Sequence, residues 1–257
     1  PVFAVILQEL AIKFWIDLEA EVRLQRIQTT SRIEHIKEVD IWPLVLAAYV
    51  KIPSLFLAKV YSYMPRLRAQ LASSTDPEWV KVILENFDDF LIDHASCERK
   101  AMAYAMSVVV KYPDRTEIIP DLLQVAQDEL DHFRDVLELM NERGLQMTPD
   151  EPDPYVNQLI QVCRHGREQR LLDRLLVASV IETRGAERFR IIAEALEDPE
   201  LKTFYRDLWA TEARHGDVFK KMALNYFDED EIEARNQEII DAEAEIIANL
   251  EWRPSLH

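Results

Sequence analysis

Two short stretches, QDELDHF at 127–133 and ATEARHG at 210–216, hold the same spacing, Glu-x-x-His: Glu129 with His132 and Glu212 with His215. No other such pair occurs in the chain, which has only six histidines. On a helix, residues three apart share a face at about 5–6 Å, so each pair can direct a carboxylate and an imidazole at one point. Carboxylate oxygen with neutral imidazole nitrogen is a ligand set for first-row divalent metals. One such pair carries little information, because roughly one arises by chance in a helical chain of this composition. Two of them require a closer look at the elements that carry them.

Both pairs sit on apolar stripes. Leu122, Val125, Glu129, His132, Val136 and Leu139 recur at alternating steps of three and four, and Leu201, Phe204, Leu208, Glu212, His215, Phe219 and Met222 at steps of three or four. Two further stripes carry one carboxylate each. Phe87, Leu91, His94, Glu98, Ala101, Ala105 and Val108 include Glu98; Leu175, Ser179, Glu182, Ala186, Phe189, Ala193 and Leu196 include Glu182. This period predicts four amphipathic helices with their stripes inward. Buried unpaired carboxylates cost several kcal/mol or more, and no Lys or Arg occupies a stripe at that level. Two divalent ions would compensate: four carboxylates from Glu98, Glu129, Glu182 and Glu212 balance four positive charges, with His132 and His215 neutral. One Glu from each of two helices and Glu-x-x-His from each of the other two is the ligand set of di-iron and di-manganese carboxylate bundles.

The order along the chain repeats. Glu98 precedes Glu129 by 31 residues and Glu182 precedes Glu212 by 30, so the helix pair 80–143 is echoed by 167–226. YPDRTE (112–117) and EDPE (197–200) break the chain within each pair, and the longer TPDEPDPY (148–155) joins the halves through a shorter helix around 155–165. The expected fold is all-α: a ferritin-like four-helix bundle over 76–226, two antiparallel pairs with a long crossover. Residues 1–75 read as an extension of helices packed on it, with one over 3–28 and breaks at Pro43, Pro53 and Pro65. SSTDPEW (73–79) offers a helix start, Asp76 before Pro77. Residues 227–257 read as an acidic helical tail, with ten acids and one base between Asp228 and Glu251 and with Ile232, Ile239 and Ile246 seven apart.

Composition agrees with this class. Of 257 residues only four are glycine and twelve proline, and Leu, Ala, Glu and Arg are abundant. Cys97 and Cys163 read as reduced thiols of a cytoplasmic protein. The most apolar stretch, 41–64, is interrupted by Lys51, Lys59 and two prolines, which argues against a membrane span. A net charge of −17 argues against nucleic acid at face value, but over half of it lies between Asp228 and Glu251. No Gly-rich dinucleotide or phosphate motif occurs, so a redox reaction here would draw electrons from a separate protein.

LIDHASCERKAMAYAM (91–106), AQDELDHFRDVLELMNERG (126–144), LLVASVIETRGAERFRII (175–192) and FYRDLWATEARHGDVF (204–219) resemble the tRNA-(2-methylthio-N6-isopentenyladenosine) hydroxylases. The similarity spans roughly 79–226 and is densest around the six candidate ligands. Asp-His-Ala-x-x-Glu, Asp93 to Glu98, is its most specific element. The resemblance implies a ferritin-like fold and oxygen activation at two iron ions held by Glu98, Glu129, His132, Glu182, Glu212 and His215, with O2 as co-substrate. Manganese suits the same ligands. It further implies hydroxylation of the isopentenyl group on the adenosine beside the tRNA anticodon, an external electron donor of the ferredoxin or reductase type, and a monomer or dimer in the cytoplasm.

His94, one turn before Glu98, is placed to hydrogen-bond a ligand. Asp128, Asp131 and Asp207 are candidates to orient the histidines, against plain solvation on a helix surface. Arg164, His165, Arg167, Arg170 and Arg174, followed by Arg184, Arg188 and Arg190, form the best basic cluster. It reads either as a phosphate-binding patch for tRNA or as pairing with Glu168, Asp173 and Glu187. Tyr104 lies off the ligand stripe, and Cys97 reads as packing. The rival functions are a di-iron oxidase or peroxidase on another small apolar substrate, a ferritin-type iron-oxidising bundle, and a metal-free interaction protein.

Overall fold

A computed structural model describes residues 70–257, all within one compact unit. The helices expected at 3–28 and over most of 33–75 lie outside the described residues. Seven helices follow, with no strand among the described residues: α1 (Trp79–Glu85), α2 (Phe87–Lys111), α3 (Ile119–Glu142), α4 (Pro154–Val162), α5 (Arg167–Ala195), α6 (Pro199–Ala223) and α7 (Glu229–Asn249). Short connections make α2 and α3 one closely packed hairpin, and α5 and α6 the other. The two hairpins meet between α3 and α6, and the chain crosses from one to the other through α4. This is the all-α, two-pair architecture that the stripes predict.

Local chemistry sets the breaks. Asp153 accepts hydrogen bonds from the amides of Tyr155 and Val156, and Asp198 from those of Glu200 and Leu201; each precedes a proline in the first turn. At the end of α3, Gly144 adopts φ +73°, and the amides of Gly144 and Leu145 return to the carbonyls of Asn141 and Met140. That paired closure of the last turn needs the left-handed conformation glycine adopts freely. One boundary departs from the sequence reading. The first helix starts at Trp79, after a turn in which Asp76 accepts from Glu78 and Trp79, and it is interrupted at Asn86 (φ −132°, ψ 45°). The Asn86 amide group bonds back to the Val82 carbonyl, which ends α1 and lets α2 set off afresh.

The buried side chains form two apolar cores stacked along the bundle. One holds Ala105, Val108, Leu122, Val125, Leu175 and Phe219; the other holds Phe90, Leu91, Val136, Met140, Phe189 and Tyr205. On each of the four long helices the candidate ligand lies between the residues it gives to one core and those it gives to the other. The polar layer is therefore closed above and below by packed hydrocarbon. α5 is the axial element, with buried residues on every face from Leu171 to Ala193.

Helix α7 packs on α4 and α5, burying Ile232, Ile239 and Ile240, with Ile246 half-buried beside them. Two of its charges are buried as well. Glu243 takes two bonds from the Arg184 guanidinium (2.7 and 3.0 Å) and one from Tyr155 Oη (3.1 Å). Arg235 holds Asp173 through two bonds (2.9 and 3.0 Å), and Asp173 also takes Arg164. The remaining acids of this helix face water. No described helix is long and apolar enough to cross a membrane.

Candidate metal centre

Glu98 on α2, Glu129 and His132 on α3, Glu182 on α5, and Glu212 and His215 on α6 converge at the level between the two cores. Ligand atoms of Glu98, Glu129, His132 and Glu212 lie within 4.8 Å of one another, and so do those of Glu129, Glu182, Glu212 and His215. Glu129 and Glu212 belong to both groups. The arrangement is thus two four-residue groups, each able to hold a metal ion, that share two carboxylates and are each completed by one further Glu and one His.

Both imidazoles turn Nδ1 inward. His215 Nδ1 is 2.8 Å from Glu129 Oε1 and 3.2 Å from Glu212 Oε2. His132 Nδ1 is 3.0 Å from Glu212 Oε1, 3.5 Å from Glu129 Oε2 and 3.6 Å from Glu98 Oε2. Of these contacts only His215 Nδ1 to Glu212 Oε2 has hydrogen-bond geometry. Both Glu129 oxygens, Glu212 Oε1 and His132 Nδ1 are buried without a hydrogen-bond partner among the described residues. Native proteins almost never leave four neighbouring polar atoms in that state, and shared divalent ions are what such atoms fit. The oxygen-rich, two-imidazole donor set is compatible with iron.

Without metal, the same crowding moves protons. Burial and the neighbouring Glu212 charge raise Glu129 to about 8, and burial with Glu212 and Glu129 pushes Glu182 well above the carboxylate range. Burial would lower His215, but the adjacent Glu129 and Glu212 carboxylates outweigh it and bring it up to about 12. His132 is driven up in the same way by Glu129, Glu212 and Glu98. Glu212 is held ionised: the two histidines outweigh its burial.

Supporting groups hold the ligands in place. His94 Nε2 donates to Glu98 Oε1 at 2.6 Å. Burial lowers the His94 pKa to about 3, so this imidazole is neutral, and its Nδ1 accepts from Tyr205 Oη at 3.3 Å. Asp128 Oδ2 lies 3.1 Å from His215 Nε2 and fixes the tautomer that leaves Nδ1 free for a metal. Of the three aspartates weighed from the sequence, only this one reaches a ligand; Asp131 pairs with Arg134 and Asp207 with Arg206 at the surface. Gly216, beside His215, lets α5 and α6 approach closely. A Cβ there would stand 2.8 Å from Thr183 Oγ1 and 3.3 Å from the Ser179 carbonyl, while Ser179 Oγ donates to the Gly216 carbonyl at 2.7 Å.

A cavity of about 370 Å³ opens against Glu98, Glu129, Glu182 and Glu212. Its walls are largely apolar, including Ala101, Ile181, Gly185 and Phe189. It is also lined by α4 and by residues 256 and 257, which no motif in the sequence singles out.

The basic cluster resolves mostly into internal pairs. Arg164 bonds Asp173, Arg167 bonds Asp114, and Arg174, 7 % exposed, donates to Ser107 Oγ and lies over the Tyr104 ring. Arg184 and Arg188 are buried, on Glu243 and over Trp79 respectively, and Arg190 pairs with Glu194. His165 and Arg167 are exposed and Arg170 half-exposed.

Comparison with known proteins matches this geometry to one family. A curated relative from Pseudomonas putida, named tRNA 2-(methylsulfanyl)-N(6)-isopentenyladenosine(37) hydroxylase, is 36 % identical over 197 residues, covering 76 % of this chain and 95 % of its own. A relative of the same name from Salmonella typhimurium is 30 % identical over 159 residues, 62 % of this chain and 56 % of its own. A solved structure, described as protein 43 with aldehyde deformylating oxygenase activity from Synechococcus, superposes with a TM-score of 0.70 at 34 % identity, covering 73 % of this chain and 94 % of that one. The family model described as tRNA-(MS[2]IO[6]A)-hydroxylase (MiaE) matches residues 62–257, so the chain belongs to that family.

Proposed function

We propose that this chain is a non-haem di-iron, O2-dependent monooxygenase that hydroxylates the isopentenyl group of (2-methylthio-)N6-isopentenyladenosine in the tRNA anticodon loop. One observation carries the reading: two four-ligand groups sharing Glu129 and Glu212 form the floor of an apolar cavity sized for a prenyl chain and part of a base. The names of both curated relatives point to the same substrate.

Glu98 and His132 would hold one iron, Glu182 and His215 the other, and Glu129 and Glu212 would be shared. Bound there, two iron(II) ions supply two electrons to O2, one oxygen atom entering a C–H bond and the other leaving as water with two protons. An external donor must return the two electrons for the next turnover. The protein's own contribution is placement and protection. His94 and Tyr205 restrain Glu98, Asp128 keeps His215 Nδ1 directed inward, and Ile181 and Phe189 keep water from the prenyl carbon. The base reaches such a site by leaving the anticodon stack, as loop nucleotides readily do. Arg167, exposed at the start of α5, and the half-exposed Arg170 beside it are candidates for phosphate contact. A tRNA substrate places the work in the cytoplasm.

A single turnover tests this. Iron-loaded, reduced protein is mixed with isopentenylated tRNA under ¹⁸O2, and the digested nucleosides are examined by mass spectrometry. One ¹⁸O in the prenyl side chain is the expected result. Unchanged nucleoside with O2 consumed would retain the oxygenase and remove the tRNA; an aldehyde substrate, as for the Synechococcus protein, would then be tried next.

A further inference from the structure

The part of the cavity lined by α4 and by residues 256 and 257 holds a polar group for which the hydroxylation itself has no use. After α7 the chain returns across the bundle, and three contacts fix it. The Leu256 amide donates to Asp93 Oδ2 (2.8 Å), Arg188 donates to the Leu256 carbonyl, and Ser255 Oγ donates to the His257 carbonyl (2.6 Å). The His257 ring lies flat on Tyr155, with centroids 5.0 Å apart and planes 11° off parallel. Its Nδ1 is 3.2 Å from Asp153 Oδ2, and its side chain is only 7 % exposed. Nε2 is buried with no hydrogen-bond partner among the described residues, and the ring lines the cavity.

The proton on this ring has a defined place. Asp153 is anchored by the amides of Tyr155 and Val156 (2.9 and 3.1 Å). In the neutral ring, a carboxylate at Nδ1 takes the N–H there and leaves the Nε2 lone pair as an acceptor. The other polar side chains at this end are engaged: the Cys97 thiol points to Asp93 Oδ2 (3.6 Å), and Lys100 Nζ donates to the Glu151 carbonyl (3.2 Å). Such an acceptor, buried and unanswered, is costly unless a ligand supplies a donor. The proposed substrate has one suited to it. In an N6-alkylated adenine the base carries a single N–H, on the nitrogen that bears the prenyl chain. A largely apolar cavity lined by both the carboxylates and one acceptor offers surroundings for a prenyl chain and for the amine that bears it.

We propose that His257 Nε2, oriented by Asp153 and Tyr155, accepts a hydrogen bond from the substrate's exocyclic N–H and so selects secondary N6-alkyl adenines. This rests on the prenyladenosine reading above. The test is binding of two nucleosides to the full chain loaded with manganese: N6-isopentenyladenosine, and its ether analogue with oxygen in place of the N–H. Wild type is expected to bind the amine about ten-fold more tightly. His257→Phe, which keeps the ring on Tyr155 and removes both nitrogens, is expected to bind both within two-fold at unchanged metal content. Equal binding by wild type, or discrimination retained in the Phe variant, overturns the proposal while leaving the prenyladenosine reading intact. Failure of wild type to bind either nucleoside overturns both. Should the variant not fold, the wild-type comparison decides alone.

Discussion

Metal loading should expel about four protons at neutral pH. In the metal-free cluster, His132 and His215 carry protons that their carboxylate neighbours stabilise, with His215 at about 12. Glu129, at about 8, is roughly nine-tenths protonated at pH 7, and Glu182 is protonated too. These four protons belong to the cluster as a unit. Two divalent ions need both imidazoles neutral and all the carboxylates ionised, so all four must leave. The exchange leaves the net charge of a buried site unchanged, which is why neither form requires an uncompensated charge. The sign follows directly: affinity for the pair of ions rises with pH, about ten-thousand-fold per unit near pH 7, and less steeply above pH 8 as Glu129 loses its proton unaided. Isothermal titration with manganese in two buffers of different ionisation enthalpy counts the protons. Release of two or fewer per two ions would refute the protonated-histidine cluster.

Further consequences are equally measurable. Asp128→Asn removes the charge behind His215 and should weaken one of the two ions about 10–100-fold, seen as a split in a metal titration. Gly216→Ala puts a methyl against Thr183 and the Ser179 carbonyl, and should cost about 1–3 kcal/mol in chemical denaturation and lower metal affinity. Asp173→Ala leaves Arg235, 9 % exposed, without its buried partner and should destabilise the fold by about 3–5 kcal/mol, with α7 losing amide protection first.

The convergence of the six candidate ligands was legible in the sequence because its logic is local. Glu-x-x-His and a stripe carboxylate 30 or 31 residues earlier are visible in one dimension, since helix periodicity turns spacing into direction. What stayed hidden depends on contacts between distant segments. Asp128 looked no different from Asp131 or Asp207, for only the packing of α3 on α6 brings it to His215. The two buried ion pairs, Arg184 with Glu243 and Asp173 with Arg235, join segments that read as a basic cluster and an acidic tail. Charge composition gave no sign that their most important members point inward. His257 reaches the cavity through a non-helical segment with no periodicity to read, and the break at Asn86 hides inside an uninterrupted apolar pattern.

The most direct test of the central claim is diffraction from iron-soaked, anaerobic crystals at the iron absorption edge. The account predicts two anomalous peaks about 3.5–4 Å apart, with Glu129 and Glu212 in contact with both, Glu98 and His132 with one, and Glu182 and His215 with the other. A single peak, or iron bound away from these six residues, would contradict it.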